Sequence, residues 1–244
     1  YGGERKKEFL SVNLRSFAMN NPPKVEYARN GQVSIAYSTW GDGNETVVFT
    51  PPLISNVELV WELPEWERVL NWAGKHVRLL MMDKRGVGLS DRTAKSMTLD
   101  DYVSDVVAVM DAEHLTSTHV VGLSEGAVIG LALAANYPDR VRKLCLVGAP
   151  ALGVPREVVE RHLKEGENLP TEEQVADRWR ELLRTWGTEE SNWLDWFAPS
   201  ASHDERIRRW WARFERQSCS PGTLLQMLQG LSRLDVSPLF GMIR

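Results

Sequence analysis

The stretch THVVGLSEGAVIGLALAAN, residues 118–136, decides the fold of this 244-residue chain. Its first residues are rich in β-branched side chains, which predicts a strand over His119–Leu123. Its later residues are small and aliphatic, which predicts a helix over Glu125–Asn136. The pattern G-x-S-x-G at 122–126 lies between the two, so a strand, a sharp turn and a helix follow one another directly.

Ser124 stands at the centre of this pattern. A sharp turn that presents a serine hydroxyl strains the serine backbone and leaves no room for side chains two residues before or after it. Gly122 and Gly126 meet that requirement. Because the N-terminus of a helix stabilises negative charge, we expect Ser124 to act as a nucleophile on a carbonyl carbon. The backbone N–H of Glu125 is then one donor to the resulting oxyanion.

A second oxyanion donor is expected in the loop after an earlier strand, which the sequence predicts at Thr46–Thr50. That loop reads PPLIS, residues 51–55. Proline has no N–H, so Leu53 is the first residue of the loop that can donate, and we assign it the second position. The alternative is that this loop is only a stiff connection between a strand and a helix.

Residues 83–91, DKRGVGLSD, contain a G-x-G pattern after a predicted strand over Val77–Met82. The third glycine of a dinucleotide-binding fingerprint is absent at the required spacing, so we do not expect phosphate binding here. Asp83 and Arg85 are instead expected to hold the loop through charge-assisted hydrogen bonds rather than to act in catalysis.

Strands and helices alternate along the middle of the chain, which predicts an α/β fold with a mostly parallel sheet flanked by helices. We expect a lead-in or linker at 1–24, a sheet domain at 25–150, a helical cap at 151–235 and the start of a return to the core at 236–244. Six of the ten tryptophans fall in the expected cap. They are expected to pack on the sheet domain, to line a pocket or to form the core of the cap: Trp179, Trp186, Trp193, Trp196, Trp210 and Trp211.

Composition excludes several classes of partner. The chain has 29 basic and 33 acidic side chains, for a net charge of −4, and no dense basic stripe, so nucleic acid is not expected to bind. No run of apolar residues is long enough for a membrane span. Two cysteines make no disulfide framework, and Cys145 is expected to be a buried, inert thiol, so we expect a cytoplasmic protein. No metal or cofactor is expected.

The chain resembles the α/β-hydrolase fold family. The resemblance spans about residues 25 to 244 and is most specific over 77 to 150. The segments that carry it are WE at 61–62, DKRGVGLS at 83–90, the turn at Ser124 and YPDRV at 137–141. Within the family the chain is most similar to hydrolase modules fused to class III adenylate cyclases, through YAR at 27–29, VSIAY at 33–37, MDA at 110–112 and LDV at 234–236.

The resemblance implies that Ser124 is the nucleophile and that Leu53 and Glu125 supply the oxyanion donors. A serine at position 124 argues against dehalogenases and epoxide hydrolases, which place an aspartate there. The resemblance also implies an acid after the next core strand and a histidine near the C-terminus. Both are therefore expected beyond Arg244, with the last core strands. The five histidines present are poorly placed for the base, namely His76, His114, His119, His162 and His203, although His203 stands beside Asp204.

Two functions from different classes follow from these residues. The first is a serine hydrolase in which Ser124 forms an acyl-enzyme with an ester, a lactone or a similar acyl substrate. The second is a sensing or regulatory domain that binds a small apolar molecule under the tryptophan-rich cap without turnover and is attached to a nucleotide cyclase. A third possibility is that the sheet has an open edge that a partner chain covers.

Overall fold

The computed structural model of the protein describes residues 22–92, 97–149, 169–232 and 234–243. Its strands β1 to β6 span Val25–Asn30, Val33–Trp40, Thr46–Thr50, Arg78–Met82, Thr118–Leu123 and Val141–Val147. They form one sheet in the order β1-β2-β4-β3-β5-β6. β2 is antiparallel to both β1 and β4, whereas β4, β3, β5 and β6 run parallel to one another. The mostly parallel sheet predicted from the sequence is confirmed.

Eight α-helices lie within the described ranges. Helices α1 to α8 span Pro64–Gly74, Leu99–Ala112, Glu125–Asn136, Glu172–Arg184, Asn192–Phe197, Glu205–Ser218, Pro221–Ser232 and Ser237–Phe240. Pro64 begins α1, where its fixed φ suits the first helical turn. Thr98 caps α2 in a reciprocal capping box with Asp101, because each side chain accepts a hydrogen bond from the backbone N–H of the other residue.

Both faces of the central strands are buried, and alternate residues of β4 show this directly. Leu80 and Met82 belong to the cluster that contains the apolar side chains of α2 and α3. Leu79 and Met81 point to the other face and pack with Leu70 of α1. Since successive side chains of a strand point to opposite faces, the sheet is covered by helices on both sides.

Helices α4 to α7 pack on the loops that follow β3 and β4. Their buried cluster includes Leu53, Ile54 and Leu59 from the loop after β3 and Val87 from the loop after β4. These loops lie at the carboxyl edge of the parallel strands, where open α/β sheets bind their ligands. The helices therefore cover the edge of the sheet that carries Ser124.

The tryptophans of α4 to α7 divide between the core and the surface. Trp186 and Trp193 are buried and meet edge to face, with ring centroids 5.6 Å apart. Trp196 is 58% exposed, and its ring lies under the guanidinium of Arg178. The burial of Trp186 and Trp193 agrees with the interpretation that individual tryptophans form the core of the expected cap. The first part of the expected cap, 151–168, and most of the lead-in, 1–21, lie outside the described residues, so the domain boundaries stay predictions.

The expectation that Cys145 is buried is wrong. β6 pairs with β5 on one side and with no other strand among the described residues. Cys145 is exposed, as are the neighbouring side chains of Leu146 and Val147. An apolar run predicts a strand with two covered faces, but a strand at the margin of a sheet can carry the same residues without that cover.

A buried carboxylate organises the helices that cover this edge. Glu215 of α6 is fully buried and accepts three hydrogen bonds: from the Ser191 hydroxyl at 2.6 Å, from the Gly187 N–H at 2.7 Å and from the Trp211 indole at 2.7 Å. Burial raises the pKa of Glu215 above its usual value, and the three donors oppose this shift. The side chain joins α6 to the loop between α4 and α5.

We predict that Glu215→Ala lowers the free energy of unfolding by about 3 kcal/mol, because it leaves three buried donors without an acceptor. The matched control is Glu205→Ala on the same helix, where the side chain is 85% exposed and the change should be about 0.5 kcal/mol or less. Urea denaturation of both variants measures the difference. Equal destabilisation by the two variants would contradict the role of Glu215.

Candidate active site

Ser124 lies in a strained turn between β5 and α3. Its backbone has φ 55° and ψ −122°, a conformation that residues with a side chain rarely adopt. The Ser124 N–H donates to the Val147 carbonyl of β6 at 2.9 Å, and the Ser124 carbonyl accepts from the Ala127 N–H at 2.9 Å. The turn is thus held by the adjacent strand and by the first turn of the helix.

Two glycines leave the space that this turn needs. A Cβ on Gly122 would lie 2.5 Å from both the Cα of Ala127 and the carbonyl oxygen of Gly126. A Cβ on Gly126 would lie 2.1 Å from the carbonyl oxygen of Thr50, at the end of β3. Since real Cβ contacts are longer than these, both positions require glycine, as the sequence pattern predicts.

The loop after β3 lies beside the turn at Ser124. Thr50 pairs with Gly122 in the parallel register of β3 and β5, and its hydroxyl donates to the Gly126 carbonyl at 2.7 Å. Leu53 follows three residues later and is buried among the side chains under α4 to α7. Among the described residues, no protein group accepts a hydrogen bond from the N–H of Leu53 or of Glu125.

Asp83 holds the loop after β3 to the loop after β4. Its fully buried carboxylate accepts from the Ser55 hydroxyl at 2.7 Å, the Val57 N–H at 3.2 Å and the Leu89 N–H at 2.9 Å. Burial raises the pKa of Asp83 to about 6, and these donors limit the rise. The structural role expected for this residue matches its contacts.

Arg85 holds the loop after β4 to α2. Its guanidinium makes two hydrogen bonds to the Asp105 carboxylate, at 2.8 and 2.6 Å, and one to Asp101 at 2.7 Å. These charge-assisted bonds raise the pKa of Arg85 further above its usual value. Neither Asp83 nor Arg85 contacts Ser124 in these hydrogen bonds, so both contribute by fixing the loop.

One buried pair was not anticipated from the sequence. Lys84 lies between Asp83 and Arg85 in the sequence. Its ammonium contacts the side-chain carboxylate of Glu125 and donates to the Pro52 carbonyl at 3.2 Å. Both charged side chains are almost fully buried. The two residues are 41 positions apart, so no local pattern links them, and only the presence of a charge directly after Ser124 could have drawn attention to the pair.

Family comparison decides the identity of this arrangement. A family model described as the α/β-hydrolase fold matches residues 53–234, which is more than half of the chain. The chain belongs to the α/β-hydrolase fold family. The turn at Ser124, called the elbow below, lies between β5 and α3, as the G-x-S-x-G pattern predicts.

Known relatives of this α/β-hydrolase are named as hydrolases. The chain is 49% identical over 67 residues to a protein named carbamate hydrolase RutD of Caulobacter segnis, a match that covers 27% of this chain and 25% of that protein. It is 36% identical over 91 residues to the 2-hydroxymuconate semialdehyde hydrolase of a Pseudomonas species, covering 37% of this chain and 32% of that protein. The chain thus spans about a quarter to a third of the length of these curated relatives.

A solved structure shows the same fold. The esterase of Exiguobacterium antarcticum aligns with a TM-score of 0.64 at 22% identity, covering 91% of this chain and 78% of the esterase chain. At this level of identity the likeness supports the fold alone.

The histidines of this α/β-hydrolase do not meet Ser124 in the described ranges. His119 is the second residue of β5, five residues before Ser124, and its Nε2 lies 3.4 Å from a carboxylate oxygen of Glu45. His76 and His114 precede β4 and β5 and so lie towards the amino edge of the sheet. His203 is exposed, and Asp204 beside it accepts from backbone N–H groups at the start of α6. Asp204 therefore acts as a helix cap, on a surface segment remote from β5, whereas His162 lies outside the described residues.

The described part of the chain contains neither a cluster of metal ligands nor a membrane-spanning helix. No three His, Cys, Asp or Glu side chains there lie close enough together to hold a metal ion. No helix described here has the length and apolar character that crossing a bilayer requires.

We predict that Gly126→Ala lowers the free energy of unfolding by about 2 kcal/mol or more, because the new methyl group must displace the backbone of β3. Gly230→Ala in α7 is the matched control, since a Cβ there meets nothing within 4 Å. The control should be neutral or stabilising by up to about 1 kcal/mol. Urea denaturation of the two variants is the measurement, and similar stabilities for both would refute the close packing at Gly126.

A second prediction concerns pH. The folded state binds a proton at Asp83 with a pKa of about 6, above the ordinary aspartate value of 3.8. The stabilising effect of this protonation is therefore complete below about pH 4 and is lost as pH rises through about 6, with a total of about 3 kcal/mol at most. Asp83→Asn removes this titration, and its amide can still accept from the two backbone N–H groups and donate to Ser55.

The free energy of unfolding of Asp83→Asn, measured relative to the parent protein from pH 4 to 7.5, should therefore rise with pH. Parallel pH profiles for the two proteins would show that Asp83 does not titrate in this range.

Proposed function

We propose that this α/β-hydrolase is a serine hydrolase that cleaves an ester, a lactone or a similar acyl substrate through an acyl-enzyme on Ser124. The observation that carries the proposal is the strained elbow, which presents a serine between the end of a parallel strand and the N-terminus of α3. The names of the relatives, which denote hydrolases, agree with this chemistry class.

In the proposed first step, Ser124 Oγ attacks the carbonyl carbon of the substrate and gives its proton to a general base. The negative charge that develops on the carbonyl oxygen is stabilised by the N–H groups of Leu53 and Glu125, which have no acceptor among the described residues. The base then protonates the leaving alcohol as the carbon–oxygen bond breaks. Water attacks the acyl-enzyme by the same route and releases the acid.

The general base is proposed to be a histidine outside the described residues, oriented by a carboxylate, since a serine hydroxyl needs an adjacent base to react. An apolar acyl group is proposed because Leu53 and Ile54 lie under the aromatic helices at this edge. A cytoplasmic location and attachment to a nucleotide cyclase or another partner domain are proposed on the sequence observations given above.

The test is hydrolysis of short p-nitrophenyl esters by the full-length protein and by its Ser124→Ala variant. We predict that the variant loses about 10⁴-fold or more in kcat and no longer forms an adduct with a fluorophosphonate probe. Ser200→Ala is the control, because Ser200 is exposed in a turn.

Full hydrolysis by Ser124→Ala would remove Ser124 from the mechanism. Absence of both labelling and hydrolysis in the parent protein would instead favour the sensing domain that binds an apolar ligand without turnover.

A further inference from the structure

A lysine that the proposed mechanism does not use lies beneath the proposed oxyanion donors. Lys84 directly follows Asp83 at the end of β4, and its side chain is 1% exposed. Its Nζ contacts the Glu125 carboxylate, donates to the Pro52 carbonyl at 3.2 Å and lies 5.2 Å from the ring centroid of Tyr102. The ammonium therefore joins the loop after β3 to the first residue of α3.

The Pro52 carbonyl belongs to the same peptide group as the Leu53 N–H. The described backbone contains no cis peptide bond. In a planar trans peptide the C=O and the N–H point in opposite directions, so fixing one fixes the other. By holding the Pro52 oxygen, Lys84 thus determines where the Leu53 N–H points.

We propose that Lys84 is a positioning residue for the oxyanion hole. It holds the Pro52–Leu53 peptide in the orientation that directs the Leu53 N–H at the substrate oxygen, and the Glu125 carboxylate keeps the ammonium in place. This inference rests on the proposed function, because it assigns a role to Lys84 only if Ser124 forms the acyl-enzyme.

Stability alone does not account for this pair. Two charges lose their hydration when they are buried, and apolar side chains of similar volume are often equally stable or more stable in their place. Catalysis, in contrast, requires donors that are already oriented when charge develops on the substrate. An ammonium on the Pro52 oxygen also polarises the peptide, which makes the Leu53 N–H a stronger donor.

The loop after β3 is held at two points. Asp83 accepts from Ser55 and Val57, beyond the donor residue, whereas Lys84 binds the donor peptide itself. Loss of the Lys84 contact is therefore expected to free the Pro52–Leu53 peptide while the far end of the loop stays in place. The expected effect is on the transition state and not on the binding of substrate.

The test replaces both charges at once, with Lys84→Met and Glu125→Met in one variant, because a single replacement leaves an unpaired buried charge. The backbone N–H at position 125 is retained. We expect kcat for p-nitrophenyl ester hydrolysis to fall about 10- to 100-fold with KM unchanged. A trifluoromethyl ketone forms an oxyanion on the enzyme, so its inhibition constant should rise by the same factor.

Arg78→Met combined with Glu113→Met is the control, since it removes a partly buried ion pair at the opposite end of β4 that contacts neither Pro52 nor Glu125. This control should lose stability while kcat and the inhibition constant of the folded protein stay at parental values. Parental kcat and inhibition in the folded double variant of Lys84 and Glu125 would overturn the role of Lys84.

If that double variant does not fold, Lys84→Met combined with Glu125→Gln decides. This second variant also removes both charges and the contact with Pro52, and it keeps the side-chain shape and the backbone donor at position 125. We expect about a 10-fold fall in kcat. An unchanged kcat would overturn the inference. Failure of the proposed function is distinguishable, because then either Ser124→Ala would retain hydrolysis or the parent protein would show neither hydrolysis nor labelling, whatever happens at Lys84.

Discussion

The close contact between α3 and β3 is the constraint on which the rest of the site depends. Gly126 packs against the carbonyl oxygen of Thr50, and the Thr50 hydroxyl returns a hydrogen bond to the Gly126 carbonyl. This contact holds the N-terminus of α3 against the end of β3 and leaves Ser124 in a backbone conformation that would be unfavourable in isolation. The packing of the sheet and helices thus offsets the energetic cost of the strained backbone at Ser124.

The loop after β3 depends on the same constraint, because it must lie beside the elbow to contribute an N–H. Two charged residues that follow β4 hold it there. Asp83 accepts hydrogen bonds from Ser55 and Val57, and Lys84 donates to the Pro52 carbonyl. Helices α4 to α7 cover the loop through Leu53 and Ile54. The site is thus assembled from three neighbouring strand ends, and each segment is tied to at least one other.

Local sequence was sufficient to predict the parts of the structure that depend on neighbouring residues. The glycines around Ser124 act within a few residues of themselves, so their pattern was readable, and the structure confirms the turn and the helix over Glu125–Asn136. The exposure of Cys145 was not predictable, because it depends on which strands flank β6. The Lys84–Glu125 pair likewise depends on the adjacency of β4, β3 and β5, which no local pattern specifies.

The central claim is that Ser124, Leu53 and Glu125 act on one carbonyl group. A crystal structure of the full-length protein after reaction with a phosphonate ester tests it most directly. We expect phosphorus bonded to Ser124 Oγ and the phosphoryl oxygen about 2.7–3.1 Å from the backbone nitrogens of Leu53 and Glu125. An adduct on another residue, or a phosphoryl oxygen directed away from both nitrogens, would contradict the account.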